Sequence, residues 1–331
     1  MPNRRRFVSI VASCAAIAPL SAAHAFAAPS VWRGTAMGAL ASMTLVHPDR
    51  DRARSLIDEC VAEIARLEAI LSLYRADSAL VRLNTAGVLD APPQELLELL
   101  SFALALSRQS AGAFDPTVQP LYRLYAQHFA RPDADPRGPS RAAITRVLRV
   151  VDFRAVEIGV GRIRLARPGM ALTLNGIAQG YVTDRVAAHL RAAGFSDVLV
   201  DLGEARALGR RPGGGAWRAA LADPHDPRRS LLELPLGETR GALPALATSA
   251  GYGTRFGPDP RLHHLLDPHT GGSANHWLSV SVAAPSATLA DGLSTALSIL
   301  GPARAAALLA RHAPVRAYVV DAVGELRALE A

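Results

Sequence analysis

The stretch from Leu172 to Leu190, LTLNGIAQGYVTDRVAAHL, sets the tightest condition on what this chain can fold into. An apolar run empties into Asn175-Gly176 and then Gly180, and apolar residues at helical spacing follow. The pattern predicts a strand that stops at glycine and restarts as a helix, with DVLVDLG at Asp197 to Gly203 as the next strand. A helix entered through glycine exposes backbone N–H groups at the positive end of its dipole, so the junction is a candidate phosphate site. It carries neither G-x-G-x-x-G nor G-x-x-x-x-G-K-[ST], and an ordinary helix-entry turn accounts for the same residues.

With 331 residues, half of them hydrophobic, the chain has core material for one large domain or two modest ones. The net charge of +7 falls to +4 once Arg4, Arg5 and Arg6 of an acid-free leader are set aside. That surplus, with no basic stripe interleaved with aromatics, does not point to nucleic acid as a partner. The chain has no lysine, so every fixed cation is an arginine. Residues 1–27 show a basic start, an apolar stretch and small-x-small sites at Ala23-His24-Ala25 and Ala25-Phe26-Ala27, which predicts a cleaved export signal. Arg4-Arg5-Arg6-Phe7-Val8 resembles the twin-arginine pattern of proteins exported already folded, and this implies the periplasm. VASC at Val11 to Cys14 resembles a lipoprotein box, but the apolar run before Cys14 is short and continues past it, so no lipid anchor is expected there. Once Cys14 leaves with the leader, Cys60 is the only thiol and no internal disulfide is expected.

After the leader, WRGTAMGALASMTLVHP reads as strand with a turn at Met37-Gly38, and a helix follows from about Arg52 to Leu71. Leu56, Cys60, Ile64, Leu67 and Leu71 give that helix one buried face. A second helix is expected from near Pro93, in its first turn, to a stop at Gly112. Arg131 to Ser140 reads as a surface loop, VLRVVDF as a strand, and AVEIGVGRIRLA as a hairpin turning at Gly159 to Gly161. WRAALADP adds a strand, and a helix capped by Ser286 runs to Gly301-Pro302.

Asp291 and Thr295 stand four apart on that last helix, so a carboxylate and a hydroxyl share a face and suit Mg²⁺, which takes oxygen ligands and often bridges to phosphates. Thr295 bonding back along its own helix is the plainer reading. In FDPT, Asp115 before Pro116 is a good helix cap and Phe114 a plain core residue. HHLLDPHTGG at His263 to Gly272 gathers three histidines and Asp267. Its spacing matches no standard zinc motif, and a general acid or base at one histidine fits better. TSAGYG at Thr248 to Gly253 has a serine but no nucleophile-elbow signature.

Taken in order, GTAMG, LSLYRADSALVRLN, GAFDPTVQPL, LNGIAQGYVTDRV, VDLG, ATSAGYG, HHLLDPHTGG and ATLADGLSTAL resemble the FAD:protein FMN transferases, the ApbE family, from about Trp32 to near the C-terminus. The LNGIAQGY form and the leader resemble the nitrous-oxide-reductase accessory branch, NosX. The resemblance implies a mixed fold, α/β (α+β), built as one two-lobed domain over residues 32–331, related to the tunnelling fold, with the flavin between lobes. It implies transfer of FMN from FAD to a Thr or Ser hydroxyl of a periplasmic or membrane flavoprotein, with AMP as leaving group and Mg²⁺ as cofactor. In the NosX branch the acceptor would be a membrane-bound protein of nitrous-oxide respiration. By the same resemblance the Ala178 carbonyl, Asp291 and Thr295 hold the metal. Met37, Tyr74, Phe114, Asp115, Asn175 and Gln179 contact FAD, and His264 is preferred to His263 as the base beside the acceptor hydroxyl.

This chain departs from the commonest family form, Asp-x-Gly-Gly-Ile-Ala-Lys-Gly, with Thr173, Asn175 and Gln179 in place of the aspartate, one glycine and the lysine. These changes bear on rate and acceptor choice more than on FAD binding. Two other readings use the same residues: FAD pyrophosphate hydrolysis, with water as acceptor, and a non-catalytic FAD-binding accessory protein.

Overall fold

The computed structural model describes residues 28–226 and 228–330, so the expected export signal and Cys14 lie outside the described residues. Strands β1 (Ser30–Ala36) and β2 (Ala39–Leu45) form the first hairpin. Its turn places both Met37 (φ 49°) and Gly38 (φ 78°) in the left-handed region that a tight two-residue hairpin requires. Helix α1 (Arg50–Leu71) starts at Asp49, whose side chain accepts from the Arg52 N–H, and buries the face read from its spacing. Then come α2 (Ala79–Ala86), β3 (Val88–Asp90) and α3 (Gln94–Gln109), where Pro93 stands at the N-cap rather than inside the first turn. Helix α4 (Gln119–Phe129) leads into the surface loop and then α5 (Arg141–Leu148).

The expected strand VLRVVDF is instead the end of α5 and a short 3-10 turn, Phe153–Ala155. Ser140 caps α5, and Ile144, Val147, Leu148 and Val151 recur at helical steps to pack on Leu121, Tyr125 and Leu266. The β-branched run suggested period two, and the three- and four-residue spacing prevails. β4 (Val156–Gly159) and β5 (Arg162–Leu165) form the expected hairpin, in a small sheet of order β3-β5-β4.

Helix α6 (Ala178–Ala192) precedes β6 (Val198–Asp201), β7 (Ala205–Leu208), β8 (Trp217–Ala222), β9 (Ser230–Leu236) and β10 (Ala245–Ala250). The chain closes with β11 (Ser279–Ala284), α7 (Ala287–Ile299), α8 (Pro302–Leu309), β12 (Arg316–Val320) and β13 (Leu326–Leu329). The main sheet has eight strands in the order β1-β2-β6-β7-β10-β11-β12-β13, with every neighbouring pair antiparallel. One face carries the principal core: Met43, Val198, Val200, Val280 and Val282 pack with Leu67 of α1, Val182 of α6 and Leu293 of α7. The opposite face, through Leu199, Ala207 and Leu246, is covered by Trp217 and Leu234 of the separate β8–β9 hairpin. The alternation of Val198, Leu199 and Val200 between these two cores is what a strand covered on both faces requires.

The opening stretch departs from its reading. Residues 170–174 belong to no strand. Their backbone groups are satisfied elsewhere: the Asn84 amide donates to the Leu172 carbonyl (2.8 Å) and accepts from its N–H (2.6 Å), and the Thr173 N–H donates to the Pro116 carbonyl (2.7 Å). A segment so bonded has no ladder left to offer a sheet. The unit is therefore a strap, then a helix, then β6. Among the described residues no helix is long and apolar enough to cross a membrane.

Candidate active site

A cavity of about 580 Å³ opens beside the junction between the strap and α6. It is walled by the β1–β2 hairpin, the end of β6, residues 113–122, the segment from Thr248 to Pro268, and α7. Phe114, Asp115, Asn175, Gln179, His264, Asp291 and Thr295 all line it. Seven residues drawn from four separate sequence motifs thus meet at one place.

The α6 N-terminus is held by protein rather than left open to an anion. Its Gly180 N–H donates to Asp291 Oδ2 (3.0 Å), so the negative group at the positive end of the helix dipole is the α7 carboxylate itself. The glycines of the junction also serve α7. A Cβ at Gly180 would stand 2.3 Å from the Ala287 carbonyl oxygen, and one at Gly176 would stand 2.8 Å from Thr295 Oγ1. At Gly180 the two helices approach backbone to backbone because the position has no side chain, and at Gly176 the Thr295 side chain takes up the space.

Asp291 is 5% exposed. Thr295 does not bond back along its own helix; its hydroxyl donates across to the Gly176 carbonyl (3.3 Å) and lies 3.3 Å from Ser249 Oγ, which pairs with Ser294 Oγ at 2.7 Å. Ala178, 1% exposed, is the first residue of α6, between Gly176 and Gln179 of the cavity wall. Among the described residues no three His, Cys, Asp or Glu side chains cluster as metal ligands. The expected ligand set, Asp291, Thr295 and the Ala178 carbonyl, offers one carboxylate, one hydroxyl and one main-chain carbonyl, and Asp115, Asp201 and Glu204 line the same cavity. An oxygen-only set with a single carboxylate fits Mg²⁺ completed by substrate phosphates, and does not fit zinc.

The two adjacent histidines part company. His263 is 3% exposed and lies against Gly251, and burial pushes its ring below the usual histidine range. His264 faces the cavity, with Nδ1 3.2 Å from the Thr254 carbonyl oxygen. That oxygen can only accept, so this contact favours the neutral tautomer with the proton on Nδ1. His269 turns outward onto Asp267 (3.2 Å), so the three histidines of HHLLDPHTGG do not converge.

Asp115 accepts from the Thr117 N–H (2.7 Å) and hydroxyl (2.6 Å) through Oδ1 and from the Phe153 N–H (3.1 Å) through Oδ2, which ties two turns together under the cavity. Burial raises its carboxyl above the usual range, against those three donors. Gln179 donates to the Leu202 carbonyl (3.3 Å) and lies over Gly203, whose φ is +103°. Asn175 donates to the Tyr74 hydroxyl (3.2 Å), which brings the half-exposed Tyr74 to the rim although it does not line the cavity. Met37 lies outside the lining too, its N–H held by Glu68 Oε1 (2.6 Å).

Asp201 and Glu204 line the cavity although the sequence does not single them out, and Ser249, the serine of TSAGYG, lines it as well. Burial pushes Asp201 up to about 6, with only the Gly203 N–H pulling the other way. The signal for it was VDLG, legible as a motif but not as a carboxylate aimed at a site.

Residues 37–319 match the ApbE family. The chain is 32% identical to the FAD:protein FMN transferase of Treponema pallidum over 287 residues, 80% of this chain and 76% of that protein. Its fold superposes on the Pseudomonas stutzeri flavinyl transferase ApbE with a TM-score of 0.75 at 29% identity, covering 92% of this chain and 96% of that one. The flavin transferase ApbE of Vibrio cholerae gives a TM-score of 0.77 at 27% identity, over 91% and 97% of the two chains.

Proposed function

The chain belongs to the ApbE family, and from that premise we propose that it moves FMN from FAD onto a Thr or Ser hydroxyl of a partner protein, with Mg²⁺ in the site. The observation that carries the reading is the convergence of Asp291, Thr295 and His264 on one cavity beside a helix N-terminus. In that cavity the acceptor oxygen attacks the FMN phosphorus. The bond from that phosphorus to the bridging oxygen breaks, and AMP leaves with the oxygen. His264 Nε2 takes the acceptor's proton. Asp291, Thr295 and the Ala178 carbonyl would hold Mg²⁺, which supplies positive charge to the phosphate oxygens when bound.

Phe114 offers a buried apolar wall for the flavin, and Asn175 with Tyr74 a polar rim. Gln179, bonded to the Leu202 carbonyl, orders the loop where a lysine is commoner, and does so without charge. The Arg4 to Arg6 leader supports a periplasmic site of action, and with the LNGIAQGY form it supports a membrane-bound acceptor of nitrous-oxide respiration. The test is product analysis by chromatography with and without an acceptor domain. AMP released only with the acceptor, in equal amount to bound FMN, supports transfer. AMP and FMN released equally without it make the protein a hydrolase, and intact FAD makes it a binding protein.

A further inference from the structure

We infer that Asp184 is a positioning residue that sets the register of α7 on α6 and so places the Asp291 carboxylate. Asp184 lies on α6 and takes four hydrogen bonds. Its Oδ1 accepts from the Ala287 N–H (2.9 Å) and from Arg206 Nη1 (2.8 Å), and its Oδ2 accepts from the Thr288 N–H (2.8 Å) and hydroxyl (2.6 Å). The N–H groups of Ala287 and Thr288 open α7 and have no acceptor within their own helix. The local cap, Ser286, reaches only the Leu289 N–H (3.2 Å). The negative group at the positive end of α7 therefore comes from the neighbouring helix. Arg206 fixes the carboxylate from behind and donates also to the Pro285 carbonyl (2.8 Å), just before the helix begins. Both members of this ion pair are mostly buried, at 18% and 15% side-chain exposure.

One turn away stands the second pin, the bond from the Gly180 N–H to Asp291. Four residues back along α6, from 184 to 180, match four residues forward along α7, from 287 to 291, as antiparallel helices in one register demand. At 1.5 Å per residue the first pin lies about 6 Å, just over one helical turn, from the second. Asp184 does not line the cavity. Slippage of α7 would carry Asp291 and Thr295 together away from Gly180 and Gly176.

The role rests on the metal reading of Asp291 for its consequence, but not for its geometry, and the test separates the two. Asp184→Asn loses two of the four bonds and Asp184→Ala all four. Hydrogen exchange of the Gly180 amide in the metal-free protein reads the register directly. Faster exchange at Gly180 by about tenfold or more, ordered Ala above Asn, with core amides in β11 unchanged, supports the inference. Wild-type protection at Gly180 in both variants overturns it, whatever happens to melting temperature. With Mg²⁺ alone as probe, the rise in melting temperature should need about tenfold more Mg²⁺ in Asp184→Asn than in wild type. If Gly180 exchange rises while the wild type itself shows no response to Mg²⁺, the register role stands and the metal reading fails.

Discussion

At the scale of single residues, the site separates chemistry from support. Asp291→Asn keeps an oxygen for the Gly180 N–H but loses the charge a cation needs. Metal-dependent turnover should fall on the order of 10²-fold or more with little change in melting temperature, read by parallel rate and thermal scans. Asp291→Ala should also destabilise, by roughly 1–3 kcal/mol, because a buried N–H loses its acceptor. His264→Ala should slow transfer by about 10²- to 10⁴-fold while FAD binding, followed by flavin fluorescence, holds. Asp201 supplies a pH test. Its folded-state value, raised from 3.8 to about 6, means that the folded protein binds this proton more tightly than the unfolded chain. The stability this contributes is fully present below 3.8 and lost as pH rises through 6. Asp201→Asn, which stays neutral, should therefore be more stable than wild type at pH 8 by roughly 1–3 kcal/mol, and the gap should close by pH 4. Equal gaps at both values in denaturant titrations would contradict that assignment.

At the scale of elements, α7 and the hairpins were legible and the strap was not. Ser286, Gly301 and the apolar spacing mark α7, and Met37-Gly38 and Gly159 to Gly161 mark their turns, because each signal is local. The strap reads as a strand because Leu172 and Leu174 alternate, yet its partners are the Asn84 side chain, far back in the sequence, and the Pro116 carbonyl. Hydrogen bonding of that kind leaves no periodic trace. Gly180 was legible as special but for a different reason than the structure gives: the atoms a side chain would strike belong to α7. Gly180→Ala should accordingly cost about 1–3 kcal/mol by overpacking and weaken the response to Mg²⁺, since the nearest atom is backbone and cannot turn aside. Thermal melts with and without Mg²⁺ check both effects.

At the scale of the molecule, an eight-stranded antiparallel sheet buries one face under α1, α6 and α7 and the other partly under the β8–β9 hairpin. The cavity gathers the sheet's first hairpin, the α6 and α7 pair and the long connection from β10 to β11. Order along the chain identified the family, because the motifs recur in one sequence, but it did not reveal that Asp201 and Ser249 join them at the cavity wall. The measurement that bears most directly on flavin transfer is the intact mass of an acceptor domain after incubation with the mature protein, FAD and Mg²⁺, beside Asp291→Asn and a chelated control. The account predicts one added FMN on a single Thr or Ser, with wild-type protein and metal only. An unmodified acceptor beside free FMN and AMP, or full labelling by Asp291→Asn, would contradict it.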